Sequence, residues 1–194
     1  VLFTQLFSQI KYGVGEKISI SDQMPTYEYC YPNDSLLNTS FSFSKHNGKV
    51  FMIEMSTSWW PSCVTNLPVG DAIYQDWASN PDVEILHVLD ELNQPYSCIQ
   101  WGNKGSIGIP PIIIGGNSVF FNLFQHPGDG SSRPLVVFIN HEMEIIFISD
   151  NHVTQTDAND LINLMLENCG DNCDDQLSTI NINNYPEEFQ IQRL

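Results

Sequence analysis

The segment Ser56–Cys63, S-T-S-W-W-P-S-C, decides the fold, because it joins a strand to a helix. The preceding residues Lys49–Ser56 are almost continuously apolar, which is typical of a central strand that is buried on both faces. A helix is predicted to begin near Pro61, since proline is tolerated in the first helical turn, and to end near Asn80. We therefore expect Cys63 in the first turn of a helix that follows a buried strand.

The rest of the chain alternates strands and helices. Apolar runs and helical spacings predict, in order, strand Val83–Leu89, short helix Tyr96–Asn103, strand Ile109–Ile114, strands Leu135–Ile139 and Glu144–Ile148, and a helix over about Asp157–Asn168. The polar turn between the last two strands indicates an antiparallel hairpin. Strand–helix alternation with a hairpin near the end is typical of an α/β sandwich around a mixed sheet.

Two motifs together resemble a known family. S-T-S-W-W-P-S-C resembles the W-C-P-x-C active-site loop of thioredoxin-like proteins, with Trp60 at the position of the first cysteine. Arg133-Pro134 before L-V-V-F-I resembles that fold's cis-proline strand. The resemblance is closest to extracellular or periplasmic redoxin-type domains. It implies a thioredoxin-like three-layer α/β/α sandwich with a mixed central sheet, and a cis Arg133–Pro134 peptide bond beside the Trp60–Cys63 loop.

The resemblance implies one domain with two flanking segments. Residues 1–48 are predicted to form an N-terminal arm and hairpin packed on the domain, residues 49–170 the thioredoxin-like domain, and residues 171–194 an acidic C-terminal tail. The arm begins V-L-F-T-Q-L-F-S-Q-I, with apolar residues at helical spacing. Two arrangements fit this pattern: the arm covers its own domain, or it mediates self-association or contact with a protein partner.

The resemblance leaves the loop with one of its two cysteines. In active members of the family the first cysteine lies at a helix N-terminus, where backbone amides and the helix dipole stabilise an attacking thiolate. Trp60 cannot do this. Cys63 matches the resolving cysteine, and apolar surroundings are expected to raise its pKa, so it is either inert or catalytic. Trp59 and Trp60, with the cis-proline loop, are expected to form an exposed contact surface.

Glu54 interrupts the first apolar strand. It lies six positions before Trp60, which resembles the place of a buried acid that accepts the resolving thiol's proton in thioredoxins. A carboxyl buried there without a cation should have a raised pKa, and it is a candidate general base toward Cys63. The alternative is a neutral carboxyl that is hydrogen-bonded within the core.

Five cysteines leave several pairings open. Cys98 follows the second predicted strand, at the end of the sheet where this fold has its active site. One interpretation is a long-range dithiol with Cys63, and the other is a buried or paired structural cysteine. Cys169 and Cys173 flank a glycine turn, so a structural bridge between them is the leading interpretation. Cys30 alternatively bonds to one of these two.

Composition excludes several function classes. Seven Lys plus Arg against 23 Asp plus Glu give a net charge of −16, which disfavours nucleic acid and anionic lipid as partners. The apolar runs fall far short of the roughly 20 residues that cross a bilayer, so no membrane insertion is expected. The five histidines show no metal-ligand spacing with the cysteines. No metal and no cofactor is therefore predicted.

Two N-glycosylation sequons, at Asn33 and Asn38, indicate an exported glycoprotein. The sequence also begins at Val1, as a mature chain does after removal of a signal peptide. We therefore expect an extracellular or periplasmic location.

These features support two function classes. The leading hypothesis is a redox-degenerate thioredoxin-like module that binds, assembles or has a structural role and is not an enzyme. The alternative is a thiol–disulfide oxidoreductase that uses Cys63, with or without Cys98. The missing first cysteine favours the leading hypothesis, whereas the retained Glu54, Cys63 and Pro134 favour the alternative.

Overall fold

The computed structural model describes residues 12–32, 39–105, 110–126 and 132–169. Four α-helices occur in these residues: α1 (Ile20–Gln23), α2 (Pro61–Trp77), α3 (Cys98–Gly102) and α4 (Gln155–Cys169). The described strands are β1 (Tyr27–Tyr31), β2 (Ser40–Phe41), β3 (Val50–Thr57), β4 (Val83–Asp90), β5 (Ile112–Ile114), β6 (Leu135–Ile139) and β7 (Ile145–Ser149). None of the helices in these ranges has the length and apolar character needed to cross a membrane.

The described strands form one mixed sheet in the order β2-β1-β5-β4-β3-β6-β7. The three inner strands β5, β4 and β3 run parallel to one another. An antiparallel pair, β6 and β7, extends one side of the sheet, and the antiparallel hairpin β1–β2 extends the other. The predicted α/β class with a mixed sheet is confirmed, and the N-terminal hairpin is part of the sheet.

Strand β3 is the centre of the molecule, as its apolar sequence predicts. All eight of its residues are buried. It pairs with β4 in parallel from Val50 opposite Val83 to Thr57 opposite Asp90, so the two strands end at the same edge of the sheet. The chain leaves that edge toward α2 after β3 and toward α3 after β4. Loops at this edge therefore bring together residues that are far apart in the sequence.

One face of the sheet is covered by α2 and α4. The packed side chains on this face include Val50 and Met52 of β3, Ile73 of α2, and Leu161 and Met165 of α4. These residues recur at period two in the strand and at helical spacing in the helices, which is why the sequence pattern predicts both elements. Burial of this apolar surface is the main stabilising contribution of the two helices.

The opposite face is covered by aromatic residues rather than by a long helix in the described ranges. Short 3-10 helices at Phe43–His46 and Phe121–Leu123 lie on this side. Phe41, Phe43 and Phe120 pack there, and the rings of Phe43 and Phe120 stack at 5.7 Å between centroids. The third layer of the expected sandwich is therefore built from turns and rings, whose burial replaces that of a helix.

Three helices have boundaries that differ from the prediction. Helix α3 begins at Cys98, two residues after the predicted start, because the Ser97 hydroxyl accepts a hydrogen bond from the Gln100 amide at 3.2 Å. Helix α2 ends at Trp77 instead of near Asn80, because the Asn80 amide bonds to the Trp77 carbonyl in a tighter turn. Helix α4 begins at Gln155, two residues before the predicted start, because the Thr154 hydroxyl accepts a hydrogen bond from the Asp157 amide at 3.1 Å.

Candidate functional site

The loop between β3 and α2 has the predicted form. Trp60 precedes α2 with extended backbone angles, Pro61 is the first helical residue, and Cys63 lies in the first turn. The Trp59 side chain is 45% exposed and its indole donates a hydrogen bond to the Glu91 carboxylate. The Trp59 and Trp60 rings lie 4.9 Å apart between centroids. The loop therefore presents two tryptophans at the position where the resemblance expects an attacking thiol.

Cys63 is a free thiol with no exposed surface. Burial raises the pKa of this thiol, and the nearby negative charge of Glu54 raises it further. The Ser56 hydroxyl, the Thr57 backbone and the Arg133 guanidinium act in the opposite direction without reversing the shift. Cys63 is therefore a protonated thiol at neutral pH, as predicted for a cysteine in apolar surroundings.

Glu54 is buried on β3 close to Cys63. Its side chain is 5% exposed, and burial raises its pKa to about 7. The Asn66 amide donates to Oε2 at 3.2 Å and lowers the pKa, while the Asp71 charge raises it. Oε1 is buried without a hydrogen-bond partner among the described residues. The predicted burial and raised pKa are confirmed, and a role as proton acceptor for Cys63 stays a prediction.

The Arg133–Pro134 peptide bond is cis, as the resemblance predicts. The Ser62 hydroxyl donates a hydrogen bond to the Arg133 carbonyl at 3.0 Å, which joins the start of α2 to the start of β6. The Arg133 guanidinium lies 3.0 Å above the centre of the Phe121 ring. The cis-proline segment therefore lies beside the Trp60–Cys63 loop.

Cys98 is bonded to Cys30, at a sequence separation of 68. Cys30 is on β1 and is partly exposed, whereas Cys98 begins α3 and is 7% exposed. This pairing agrees with the interpretation of Cys98 as a buried, paired cysteine. It excludes two of the alternatives: Cys98 does not form a dithiol with Cys63, and Cys30 does not bond to Cys169 or Cys173. The physical reason is that β1 joins the sheet beside β5, which brings Cys30 against α3.

The disulfide and the free thiol share one apolar cluster. The buried members are Cys63, Leu67, Leu89, Cys98, Trp101 and Ile112. Cys30, Tyr31 and Trp60 pack around it with partly buried side chains. The loop after β3 and the helix after β4 therefore bring three of the chain's sulfur atoms into a single packed region at one end of the sheet.

Beneath this cluster is a small, mainly apolar pocket of about 10 Å³, which has room for one water molecule. Glu54, Asp71 and His87 line it together with Leu67, Gly70, Trp101, Pro110 and Ile112. Burial lowers the pKa of His87 to about 4, so its imidazole is neutral and accepts a hydrogen bond from the Trp101 indole at 3.2 Å. Glu54 and His87, at the base of the site, are thus each hydrogen-bonded, and burial shifts the pKa of each side chain in the direction that favours its neutral form.

Three residues of this region were not predicted to belong to it: His87, Asp71 and Cys30. A signal for His87 was present, because Glu54 and His87 are each the fifth residue of an apolar strand. The parallel register pairs them directly. No comparable signal marked Cys30, whose partner depends on the position of an edge strand.

Other predicted residues lie partly or wholly outside the described ranges. Cys169, at the end of α4, is disulfide-bonded, and its predicted partner Cys173 is outside those ranges. The sequons at Asn33 and Asn38 and the apolar arm over residues 1–10 are also outside them.

No protein-family model and no curated protein matches the chain. Solved structures do. A secreted disulfide oxidoreductase from Mycobacterium tuberculosis is 13% identical with a TM-score of 0.54, covering 77% of this chain and 99% of its own. A thiol:disulfide interchange protein of the thioredoxin family from Chlorobium tepidum is 17% identical with a TM-score of 0.54, covering 66% and 87%. A secreted thiol-disulfide isomerase from Corynebacterium glutamicum is 15% identical with a TM-score of 0.56, covering 68% and 78%.

These matches correct the leading functional hypothesis. The chain was expected to be a non-redox binding, structural or self-assembly module. Its structural neighbours are instead thiol–disulfide oxidoreductases, and the chain carries a Cys30–Cys98 disulfide next to the expected site. The lean against an enzyme is therefore not supported. The missing first cysteine misled the prediction, because its absence was given more weight than the retained Glu54, Cys63 and Pro134 and the possible contribution of Cys98.

Proposed function

The chain has the thioredoxin-like fold, and we propose that it is a thiol–disulfide oxidoreductase acting through the cysteines at one end of its sheet. The observation that carries this proposal is the apolar cluster that contains both a free thiol, Cys63, and a disulfide, Cys30–Cys98. Exchange requires a thiol, a disulfide and a means of moving a proton. The first two are in the cluster, and Glu54 supports the third.

The net reaction in the oxidised state of this structure takes two electrons from a substrate dithiol. A substrate thiolate attacks one sulfur of the Cys30–Cys98 bond, that bond breaks, and the other cysteine leaves as a thiolate. The second substrate thiol then attacks the substrate sulfur of the mixed disulfide. The products are a substrate disulfide and two cysteine thiols, which receive the two substrate protons. The reverse sequence reduces a substrate disulfide.

Cys63 acts as the internal exchange thiol. Glu54 takes the Cys63 proton, the resulting thiolate attacks the Cys98 sulfur, and Cys30 leaves as a thiolate. The Cys30 thiolate then attacks a substrate disulfide, one substrate sulfur leaves as a thiolate, and a dithiol electron donor reduces the mixed disulfide that remains. The first two exchanges conserve electrons, because one disulfide replaces another, and the donor supplies the two electrons of the net reduction. The pKa of Glu54, about 7, suits a group that takes and returns a proton near neutral pH. The raised pKa of Cys63 makes this help necessary, since only a thiolate attacks a disulfide.

The exposed Trp59 and the partly buried Trp60 provide a surface for a polypeptide substrate. Trp59 is 45% exposed, and it lies next to the loop that Ser62 bonds to the cis-proline segment. Aromatic side chains bind apolar segments with little loss of conformational freedom. In this proposal Trp59 and Trp60 position a substrate, and the chemistry occurs at the sulfur atoms behind them.

The disulfides of the chain also indicate the compartment in which it acts. Disulfides persist in oxidising compartments, and the chain carries the Cys30–Cys98 bond and a disulfide at Cys169. Two of the neighbouring structures are described as secreted proteins. We propose that this chain also acts outside the cytoplasm, in an extracellular or periplasmic setting.

An insulin-reduction assay with dithiothreitol as the electron donor tests the function. The unmodified chain should raise the rate at least about tenfold over the uncatalysed reaction, and Cys63→Ser should remove most of that gain. Thr65→Ala is a matched control, because Thr65 is exposed on the same helix and lies away from the sulfur cluster.

Two results would count against this function. A rate for the unmodified chain no higher than that of buffer would exclude the activity with this substrate class. Equal loss in Cys63→Ser and Thr65→Ala would show that helix stability, rather than the Cys63 thiol, controls the rate.

A further inference from the structure

Resting on the proposed function, we infer that Cys30 is the sulfur that a substrate thiol attacks, with Cys98 as the leaving group. The redox centre that substrates reach then lies where β1 meets α3, and not in the loop at the start of α2, where the family resemblance places it. Neither the loop motif nor the neighbouring structures assign a role to Cys30.

Accessibility distinguishes the three cysteine residues. Cys63 has no exposed surface, Cys98 is 7% exposed, and Cys30 is partly exposed on β1, the strand beside the edge strand β2. Attack on a disulfide depends on access to the sulfur that is attacked. A thiolate from solvent therefore meets Cys30 first, while Cys98 points into the cluster with Trp101 and Leu89.

Contacts between β1 and α3 hold the two sulfur atoms together without the covalent bond. Gly102 of α3 lies so close to the Tyr31 ring that a Cβ atom there would collide with it. The Tyr31 hydroxyl also donates a hydrogen bond to the Asn103 side chain at 3.3 Å. Reduction of the disulfide thus leaves α3 docked on β1, and the two thiols remain positioned to bond again. A disulfide that is reversibly reduced needs its two thiols to stay in position, whereas a purely structural cross-link does not.

The step balances without any further reagent. The substrate thiolate bonds to Cys30 Sγ as the Cys30–Cys98 bond breaks, and Cys98 leaves with the electron pair and takes a proton. A second substrate thiol then attacks the substrate sulfur of the mixed disulfide and releases Cys30. The substrate dithiol is oxidised by two electrons, and the chain disulfide is reduced by two.

The surface and charge of the chain indicate the class of substrate. Ile99, next to Cys98, is 45% exposed, and Tyr31 is partly exposed beside Cys30. An apolar surface of this kind favours a cysteine with apolar neighbours. The net charge of −16 repels anionic thiols and attracts cationic ones. We therefore assign the site to cysteines in neutral or cationic polypeptides.

Trapping of the mixed disulfide tests this assignment. The native, oxidised chain is mixed with the peptide Leu-Lys-Cys-Leu, the released thiol is blocked with N-ethylmaleimide, and the products are mapped by mass spectrometry. The expected result is peptide on Cys30 and maleimide on Cys98. The matched peptide Leu-Glu-Cys-Leu should react at least about threefold more slowly at low salt, and the difference should shrink as salt is added.

Each other outcome overturns a defined part of the proposal. Peptide on Cys98 or Cys63 would reject Cys30 as the point of attack while leaving the oxidoreductase function intact. Equal rates for the two peptides would reject the charge preference. If the native chain forms no mixed disulfide at all, the site assignment fails; insulin turnover that persists in the same preparation would show that the oxidoreductase function survives that failure.

Discussion

The two ends of the sulfur cluster differ in what each retains of a redox site. The loop before α2 retains the geometry: a proline at the helix start, a buried thiol in the first turn, a cis-proline segment alongside and a buried acid behind. The junction of β1 and α3 holds a disulfide, one of whose cysteines is partly exposed. In the proposed function, the loop geometry and the redox chemistry are thus separated within one domain.

In the proposed function, a motif has lost its function-bearing residue while the surrounding region supplies the chemistry. Trp60 removes the attacking thiol from the loop, yet the same apolar cluster contains Cys30 and Cys98. A scaffold of this kind hosts many activities, so the cysteines in the site region, more than the loop motif alone, determine the expected chemistry.

The largest expected effect is on stability, from removing the disulfide with the double variant Cys30→Ser and Cys98→Ser. A bond that closes a loop of 68 positions should contribute about 4 kcal/mol by restricting the unfolded chain. Urea unfolding with and without the substitutions measures it. The β1–α3 contacts should keep the variant folded. A change below about 1 kcal/mol would mean that the unfolded chain gains little freedom when the bond is absent.

The second-largest expected effect is on the pH dependence of stability. It is tested with Glu54→Gln, on the strand that precedes the loop before α2. Folded Glu54 keeps its proton up to a pKa of about 7, whereas the unfolded carboxyl loses it near 4.5. Between these values the folded state binds more protons, so its stability falls as pH rises. The fall should be about 3 kcal/mol at roughly 1.4 kcal/mol per pH unit, and it should be absent in the variant.

The difference in unfolding free energy between the two proteins, measured from pH 4 to pH 8, isolates this contribution. Asp71 and Cys63 are near Glu54 and His87 lines the same pocket, but the variant retains all three, so their titration largely cancels. Parallel pH profiles for the two proteins would contradict the burial of an ionisable carboxyl at position 54.

Placing a cysteine at position 60 tests whether the geometry of the loop before α2 is sufficient for exchange. Trp60→Cys places a thiol before Pro61 and Cys63, at the N-terminus of α2, where backbone amides and the helix dipole favour a thiolate. Insulin reduction should rise on the order of a hundredfold. The same substitution combined with Cys63→Ser is the control, because it lacks the resolving thiol. An unchanged rate would mean that the loop geometry is not competent for exchange.

The smallest expected effect is that of Ser62→Ala, which removes the hydrogen bond from the Ser62 hydroxyl to the Arg133 carbonyl. Its loss should reduce the free energy of unfolding by about 1 kcal/mol. Ser79→Ala, an exposed change beyond the end of α2, should have almost no effect and serves as the comparison. Equal values for the two variants would show that the loop is not held to the cis-proline segment through this contact.

The sequence was sufficient for the parts of the molecule that depend on local patterns. The strand before Ser56 and the helix from Pro61 follow from apolar periodicity and proline position. The cis Arg133–Pro134 bond and the buried Glu54 follow from the resemblance of short motifs to the thioredoxin-like family. These features are specified by residues close together in the chain, which is why one sequence indicates them.

The remaining features depend on contacts between distant segments. The Cys30–Cys98 bond required β1 to join the sheet beside β5, and cysteine spacing does not determine such a pairing. The proximity of Asp71 to Glu54 likewise follows from packing of α2 on the sheet, and that of His87 from the parallel register of β3 and β4. The functional hypothesis was wrong because it gave most weight to the cysteine that the loop lacks.

A redox titration of the unmodified chain in glutathione buffers tests most directly whether the β1–α3 junction is a redox centre. At each ratio of reduced to oxidised glutathione, free thiols are alkylated and mapped, and circular dichroism follows the fold. Cys30 and Cys98 are predicted to become alkylated together in one reversible two-electron transition while the fold persists. If the bond instead stays intact at every ratio until the chain unfolds, the disulfide is a structural cross-link and the β1–α3 junction is not a redox centre.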